Sequence, residues 1–164
     1  MEEEIQLAAQ EEGYETTEEE EPTLEIGKIA ILLGGPRFHT LRLKGNIQGQ
    51  KVTVLVDRGA THNFIDEGLL ERRNLQDQPF NGFIVIIPGN NSMDCTKWIP
   101  KLQVTIGNHT ITDKFYAVNV DDTNAVLGVQ WSYSLGEHTM KNQFPEMRFK
   151  NSDGKPILLR GMHT

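Results

Sequence analysis

Hydrophobic and polar residues alternate over much of the chain with the period of two that is typical of β-strands. The alternation begins with Leu41, Leu43 and Ile47, and it continues through residues 51–56 into a wholly apolar end. Residues 48–50, Gln-Gly-Gln, have the composition of a tight turn between the two runs. The sequence therefore predicts a β-hairpin in this part of the chain.

Short apolar runs bounded by turn residues continue to the end of the sequence. Strands are predicted at 83–87, from about 93 to 106 with a break at Pro100, at 111–120, at 125–128 and in a final hairpin over 147–160. Two segments have helical character, 63–73 and about 129–135. The predicted fold class is mainly β, a closed barrel or folded sheet with one or two short helices.

Charge divides the 164-residue chain, whose net charge is −7, into unequal parts. Residues 1–25 hold 11 Glu and no Lys, Arg or Asp, whereas the remainder holds 16 basic and 12 acidic groups. A segment with so many like charges and few apolar groups is predicted to be disordered, as a solvated linker or as an acidic interaction tail. Residues 26–37 are then a linker or an edge strand, and residues 38–162 form the folded domain.

Composition also excludes several functions. No apolar run approaches the roughly 20 residues of a membrane span, and the basic residues form no stripe of the kind that binds nucleic acid. Gly34-Gly35-Pro36 lacks the Lys that follows in a phosphate-binding loop. The single Cys95 excludes an intrachain disulfide, and the five histidines show no metal-ligand spacing. We expect neither a metal nor a cofactor.

The candidate for chemistry is Asp57, which follows the apolar run Val54-Leu55-Val56 and precedes Gly59. A carboxylate at the end of a buried strand needs hydrogen-bond donors or a shifted pKa, because burying a bare charge is costly. Taken alone, Asp-x-Gly is equally compatible with a turn residue or a helix cap.

Residues 54–65 read Val-Leu-Val-Asp-Arg-Gly-Ala-Thr-His-Asn-Phe-Ile, and they resemble the active-site loop of retropepsins. The version Asp-Ser-Gly-Ala-Thr-His-Asn-Phe-Ile is typical of gypsy-type LTR retrotransposons of plants, and this chain departs from it only at Arg58. About 70 residues later, residues 126–131 resemble the family's apolar-apolar-Gly segment, and residues 86–95 occupy the place of the flap hairpin. The resemblance runs from about residue 38 to residue 162.

This resemblance implies a retropepsin-like fold and the activity of an aspartic endopeptidase. It implies that Asp57 is catalytic, that Gly59 permits the loop geometry and that Ala60 gives close packing. Supporting residues would be Val126, Leu127 and Gly128, and the flap would comprise Ile87, Pro88, Gly89, Asn90, Asn91, Ser92 and Met93. The resemblance further implies extended Gag-Pol polyprotein peptides as substrates, and a location in the cytoplasm or in a virus-like particle.

One Asp-x-Gly-Ala sequence per chain implies a homodimer, because a single chain of this size then supplies only one of the two carboxyls that the family's site needs. In the family the paired carboxyls share one proton, so that one activates water while the other donates to the scissile carbonyl.

Arg58 stands where the family has Ser or Thr, whose hydroxyl both donates and accepts hydrogen bonds across the dimer. Arginine only donates and stays charged, so a dimer would bring two cations near its axis. If Arg58 paired with Asp57, it would also favour the carboxylate and oppose the shared proton. We therefore expect impaired catalysis. The alternatives are a catalytically inactive module for dimerisation or peptide binding, and a poorly folded remnant of an element.

The other residues that could have a chemical or binding role are expected to be structural. His62 is predicted to pack at the start of the helix rather than to act on substrate, and Cys95 is predicted to be buried and neutral. Trp98 and Trp131 are expected in the core or in a pocket wall. Residues 121–122, Asp-Asp, are interpreted as a solvated loop because no Asp-x-Gly context follows.

Overall fold

A computed structural model describes residues 29–31, 40–87, 91–120, 123–141 and 145–162. The predicted acidic tail, most of segment 26–37, three of the predicted flap residues and the Asp-Asp pair at 121–122 lie outside the described residues. The described part contains eleven strands and two short helices. Helix α1 is Glu67–Arg72 and helix α2 is Val129–Ser134. The strands are β1 Ile29–Ile31, β2 Thr40–Ile47, β3 Gln50–Asp57, β4 Phe64–Asp66, β5 Gln78–Ile87, β6 Asn91–Ile106, β7 His109–Val118, β8 Ala125–Leu127, β9 His138–Lys141, β10 Glu146–Lys150 and β11 Pro156–Arg160.

Six of the strands form a ring of hydrogen-bonded neighbours. The order β6-β2-β3-β8-β4-β7 returns to β6, because β6 pairs with both β2 and β7. Strands β5 and then β1 extend the sheet outward from β6, with β1 parallel to β5. Strands β9, β10 and β11 make a separate antiparallel sheet. The predicted mainly β fold class with two short helices is thus confirmed.

Strand β3 is buried on both faces, and this explains its apolar end. Val54 and Val56 pack into the larger hydrophobic cluster, which also contains Leu43, whereas Leu55 packs into a smaller cluster. The smaller cluster is rich in aromatic residues and includes Phe64, Phe83, Trp98 and Tyr116. A strand with apolar residues at consecutive positions suits such a two-sided environment. Asp57 therefore ends a strand that lies between the two parts of the core.

Several predicted elements are present. The β2–β3 hairpin closes through Gln48 and Gly49, whose φ angles of 50° and 85° match the turn that favours a right-handed strand twist. The final hairpin is β10–β11. Pro100 lies inside the long strand β6, and the pairing of β6 with β7 shifts register between Ile99 and Leu102. The interruption predicted at Pro100 is therefore an irregularity in one strand rather than a break.

The predicted helix over 63–73 is wrong in its first half. Residues 64–66 form β4, which pairs with β7 on one side and with β8 on the other, and the helix begins only at Glu67. Phe64 and Ile65 are both fully buried because a strand between two others exposes neither face. Apolar residues at 64, 65, 69 and 70 fit a single helix, and they fit equally well a short strand followed directly by a helix.

Two further strands differ from expectation. Strand β5 begins at Gln78 rather than at 83, and Gly82, with φ of 98°, marks the irregular pairing that joins its two parts. Strand β9 was not predicted at all, because its sequence His-Thr-Met-Lys carries too little apolar alternation to be detected. No helix in the described part of the chain is both long and apolar enough to cross a membrane.

Candidate functional site

Asp57 is the last residue of β3, and only 3% of its surface is exposed. Strand β3 lies between β2 and β8. Thr40 of β2 is the register partner of Asp57, and β8 runs parallel to β3 on the other side. The backbone N–H of Gly59 donates to Asp57 Oδ1 at 2.7 Å, and the N–H of Ala60 donates to the Asp57 carbonyl at 3.1 Å. The loop after β3 thus folds tightly around the carboxyl group and fixes its orientation.

The apolar segment Val126-Leu127-Gly128 lies directly beside this loop. Val126 and Leu127 are fully buried in β8, which separates β3 from β4. At Gly128 the chain passes so close to the loop that an added Cβ would lie 2.7 Å from the carbonyl oxygen of Ala60. The following N–H, of Val129, donates to that same oxygen at 2.8 Å. The structure therefore brings the predicted supporting residues and the predicted catalytic loop together.

Asn63 connects the site to the sheet, a role that was not predicted from the sequence. Its Oδ1 accepts from the N–H of Gly128 at 2.9 Å, while its Nδ2 donates to the carbonyl of Lys114 in β7 at 3.0 Å. An amide side chain can make both contacts at once because it carries a donor and an acceptor. The sequence feature that could have indicated this role is the position of Asn63 within residues 61–63, Thr-His-Asn, which belong to the stretch that resembles the retropepsin loop.

The predicted flap residues belong to the hairpin of β5 and β6. Ile87 pairs with Asn91, and the next pairs toward the sheet join Ile86 to Ser92 and Val85 to Met93. Pro88, Gly89 and Asn90 lie outside the described residues. Ile87 and Met93 pack against the smaller hydrophobic cluster, which also contains Ala60 and Val126. One apolar cluster therefore supports both the hairpin and the loop that carries Asp57.

Arg58 is exposed on the loop, and its guanidinium contacts a residue 80 positions later. Its Nη2 lies 2.7 Å from Nε2 of His138, and Nδ1 of His138 lies 2.8 Å from the carbonyl oxygen of Gly136. A bond from Arg58 to Asp57 is one possibility that the sequence suggests, whereas the contact of the guanidinium in the structure is with His138. Nothing in the sequence indicated this pairing, because β9, which carries His138, was not predicted.

The other titratable candidates are packed in the core. His62 is 3% exposed and lies against the rings of Phe83 and Tyr116, with its Nδ1 2.7 Å from Thr61 Oγ1. It packs in this aromatic cluster rather than at the start of a helix, since α1 begins five residues later. Burial raises the pKa of the Cys95 thiol to about 12, so this group stays protonated at neutral pH.

Trp98 and Trp131 are 6% and 4% exposed, in agreement with their predicted place in the core.

A cleft of about 940 Å³ lies between β11 and the β6–β7 turn. The residues that line it include Lys44 and His109 but none of the predicted site residues. Desolvation lowers the pKa of His109. In the described part of the chain, no group of three His, Cys, Asp or Glu side chains is placed to hold a metal ion.

Comparison with known proteins agrees with this geometry. The family model of the PEG10/RTL1 protease domain, a retropepsin-like and gypsy-derived family, matches residues 53–154, which include the predicted catalytic loop and the predicted supporting segment. The match covers the Asp-Arg-Gly residues of the loop, but it supports neither the plant-type character nor arginine at position 58 as a feature of the family. No curated protein sequence matches the chain.

The fold is shared with a solved structure at low sequence identity. The retroviral protease-like domain of Ddi1 from Leishmania major is 14% identical, with a TM-score of 0.54 over 77% of this chain and 97% of that one. The Simian Foamy Virus (mac) protease is also similar, at 18% identity, with a TM-score of 0.40 over 58% of this chain and 97% of that one.

Proposed function

The chain belongs to the PEG10/RTL1 protease domain family, and on this premise we propose that it is an aspartic endopeptidase whose site forms when two copies pair. The observation that carries the proposal is the buried carboxyl of Asp57, held at the end of β3 by the N–H of Gly59. The matched region contains one Asp-x-Gly-Ala sequence, at residues 57–60, so a second carboxyl of the same kind has to come from a second copy. The pair would lie on a twofold axis.

Pairing gives the two carboxyls their function. Two like charges within hydrogen-bond reach do not both ionise, so the pair holds one proton and titrates as a coupled unit. The ionised Asp57 takes a proton from a water molecule, and that water attacks the scissile carbonyl. The protonated Asp57 of the other copy donates to the carbonyl oxygen and takes a proton back as the C–N bond breaks. The proton taken from water passes to the leaving amine, so the pair again holds one proton. The chemistry requires neither a metal nor a cofactor.

The β5–β6 hairpin suits a role as the flap over an extended peptide. Ile87 and Met93 of the hairpin pack against the cluster that also supports the loop of Asp57. A peptide bound between the hairpin and the loop would therefore contact both of them. Such a peptide would bind by strand pairing, which recognises backbone and leaves side-chain pockets to set specificity. We propose segments of a Gag-Pol-type polyprotein as substrates, cleaved in the cytoplasm or in a virus-like particle.

Arg58 favours a second candidate function, a module that keeps the fold for dimerisation or peptide binding without cleavage. Two guanidinium groups near the axis of a dimer repel each other and resist desolvation. The same position carries a hydroxyl in the resembling proteases, and Arg58 cannot accept a hydrogen bond as that hydroxyl does. We propose that Arg58 weakens pairing and slows cleavage relative to a hydroxyl at this position.

Peptide cleavage at acidic pH by purified protein, compared with the Asp57→Asn variant, tests the proposal. The substituted asparagine keeps the acceptor for the Gly59 N–H but cannot exchange a proton, so we expect kcat/KM to fall by about 10²- to 10⁴-fold. Circular dichroism of both proteins controls for folding. Equal cleavage by the two proteins would contradict the assignment of Asp57.

The Arg58→Ser variant separates the two candidate functions, with sedimentation measured beside cleavage. We expect the substituted serine to tighten the dimer and to raise kcat/KM over the natural chain. A stable dimer that cleaves nothing with either residue would favour the non-catalytic module. Equal rates for the natural chain and the variant would show that the cation does not impair the enzyme.

A further inference from the structure

The contact between Arg58 and His138 fixes the state of the imidazole ring. A guanidinium only donates hydrogen bonds, so Nε2 of His138 at 2.7 Å must be the acceptor. The ring proton then lies on Nδ1, which donates to the carbonyl oxygen of Gly136 at 2.8 Å. Both distances fit one neutral tautomer, and the three residues form a continuous chain of donors and acceptors.

This chain of hydrogen bonds ties the catalytic loop to the far end of α2. At the beginning of the helix, the N–H of Val129 donates to Ala60 O at 2.8 Å. Just past the end of the helix, Gly136 O accepts from His138, which in turn accepts from Arg58. The loop at residues 57–60 is thus held from both ends of the same short helix.

His138 is itself well fixed, although it is only half-buried. It is the first residue of β9 and its register partner in β10 is Phe149. Phe149 is 5% exposed, and its ring lies 6.1 Å from that of Trp131 in an edge-to-face arrangement. A side chain that begins at such a position can hold a flexible arginine in one place.

We propose that His138 is a positioning residue that holds the Arg58 guanidinium away from the neighbouring carboxyl of Asp57. This inference rests on the proposed aspartic endopeptidase function. A released guanidinium next in sequence to Asp57 would pair with the carboxylate and favour its ionised form. The paired site would then lose the shared proton on which both halves of the reaction depend. His138 prevents this pairing of Arg58 with the Asp57 carboxylate. A chain with serine at position 58 carries no guanidinium there, so His138 has no such role in it.

Cleavage kinetics in two backgrounds test the dependence on Arg58. In the natural chain we expect His138→Ala to lower kcat/KM by about tenfold, the effect of one hydrogen bond to a charged group. His138→Gln restores most of the activity, because its Oε1 accepts from the guanidinium where Nε2 does. In the Arg58→Ser background His138→Ala changes kcat/KM by less than about twofold, because no cation is left to hold. An equal loss in both backgrounds would overturn the proposal.

Thr139→Ala is the matched control, since Thr139 is exposed and follows His138 in β9. We expect it to leave kcat/KM unchanged in both backgrounds. A loss as large as that of His138→Ala would show that any change in β9 slows cleavage, and would overturn the specific role of His138.

The nitrogen-15 spectrum of the His138 ring supplies a readout that needs no activity. At a pH where the ring is neutral, we expect protonated Nδ1 and unprotonated Nε2 in the natural chain. Arg58→Ala should shift both signals toward a mixture of tautomers, because the bond that selects one of them is gone. Unchanged signals would overturn the proposal. If no variant cleaves any peptide but the signals move as expected, the proposed function fails while the Arg58–His138 contact stands.

Discussion

At the scale of single residues, the site depends on close approaches of backbone as much as on the carboxyl of Asp57. Gly128 shows this most directly, because its neighbours leave no room for a side chain. Its N–H binds Asn63, and its Cα faces the carbonyl oxygens of Ala60 and His62. Both oxygens belong to the backbone, so neither can move without changing the loop that orients Asp57.

Gly128→Ala should therefore destabilise the protein by about 1 to 3 kcal/mol, the usual cost of overpacking. Gly68→Ala is the control in α1, where the nearest atoms belong to the side chains of Asp66 and Arg72 at 3.1 and 3.2 Å rather than to the backbone. There we expect a smaller loss, because alanine favours a helix over glycine and offsets part of the cost of these contacts. Urea denaturation of the variants measures both values. Equal stability of the two variants would show that the close approach at Gly128 carries no cost.

Cys95 gives a second prediction at this scale, through the linkage of its pKa to folding. Burial raises the pKa of the thiol from 9.0 to about 12 in the folded protein. Above pH 9 the unfolded chain releases this proton while the folded chain retains it, so the free energy of unfolding falls as pH rises toward 12. Urea denaturation at about pH 8 and about pH 10 measures the fall, and Cys95→Ala should reduce it. An identical pH dependence in both proteins would contradict the raised pKa.

At the scale of elements, the sequence indicated hairpins better than it indicated single strands. The β2–β3 hairpin was predictable because its turn residues and its alternation agree with each other. Strand β4 was mistaken for part of a helix, since Phe64 and Ile65 are buried by strands from distant parts of the chain. Strand β9 has almost no apolar signal. Its role at Arg58 therefore could not be predicted from the sequence.

The β2–β3 turn gives a prediction for an element. Gln48 has a φ of 50°, a conformation that asparagine adopts more readily than glutamine, and Gly49 follows with φ of 85°. Gln48→Asn should raise the free energy of unfolding by about 0.5 to 1 kcal/mol. Gln50→Asn, one position into β3, is the control and should give no gain. A lower urea midpoint for Gln48→Asn than for the natural chain would contradict the turn assignment.

At the scale of the whole molecule, the fold buries one carboxyl at the end of a strand in a six-stranded ring, and the proposed function takes the second carboxyl from a second copy. The resemblance of residues 54–65 predicted this loop, and the ring of six strands explains its position, because β3 ends between β2 and β8. The division into an acidic segment, residues 1–25, and a basic domain rests on composition and stays a prediction. The close approach at Gly128 and the contact of Arg58 with His138 arise only when distant segments meet, so they were not predictable.

The most direct test of the paired site is the stoichiometry of inhibition. A pepstatin-type inhibitor carries a hydroxyl that binds between two carboxyls, as the transition state does. Titrating purified chain with such an inhibitor, by calorimetry or by residual cleavage, counts the sites. We predict saturation at one inhibitor for every two chains. Saturation at one inhibitor per chain, or no binding by a folded dimer, would contradict a site built from two copies of Asp57.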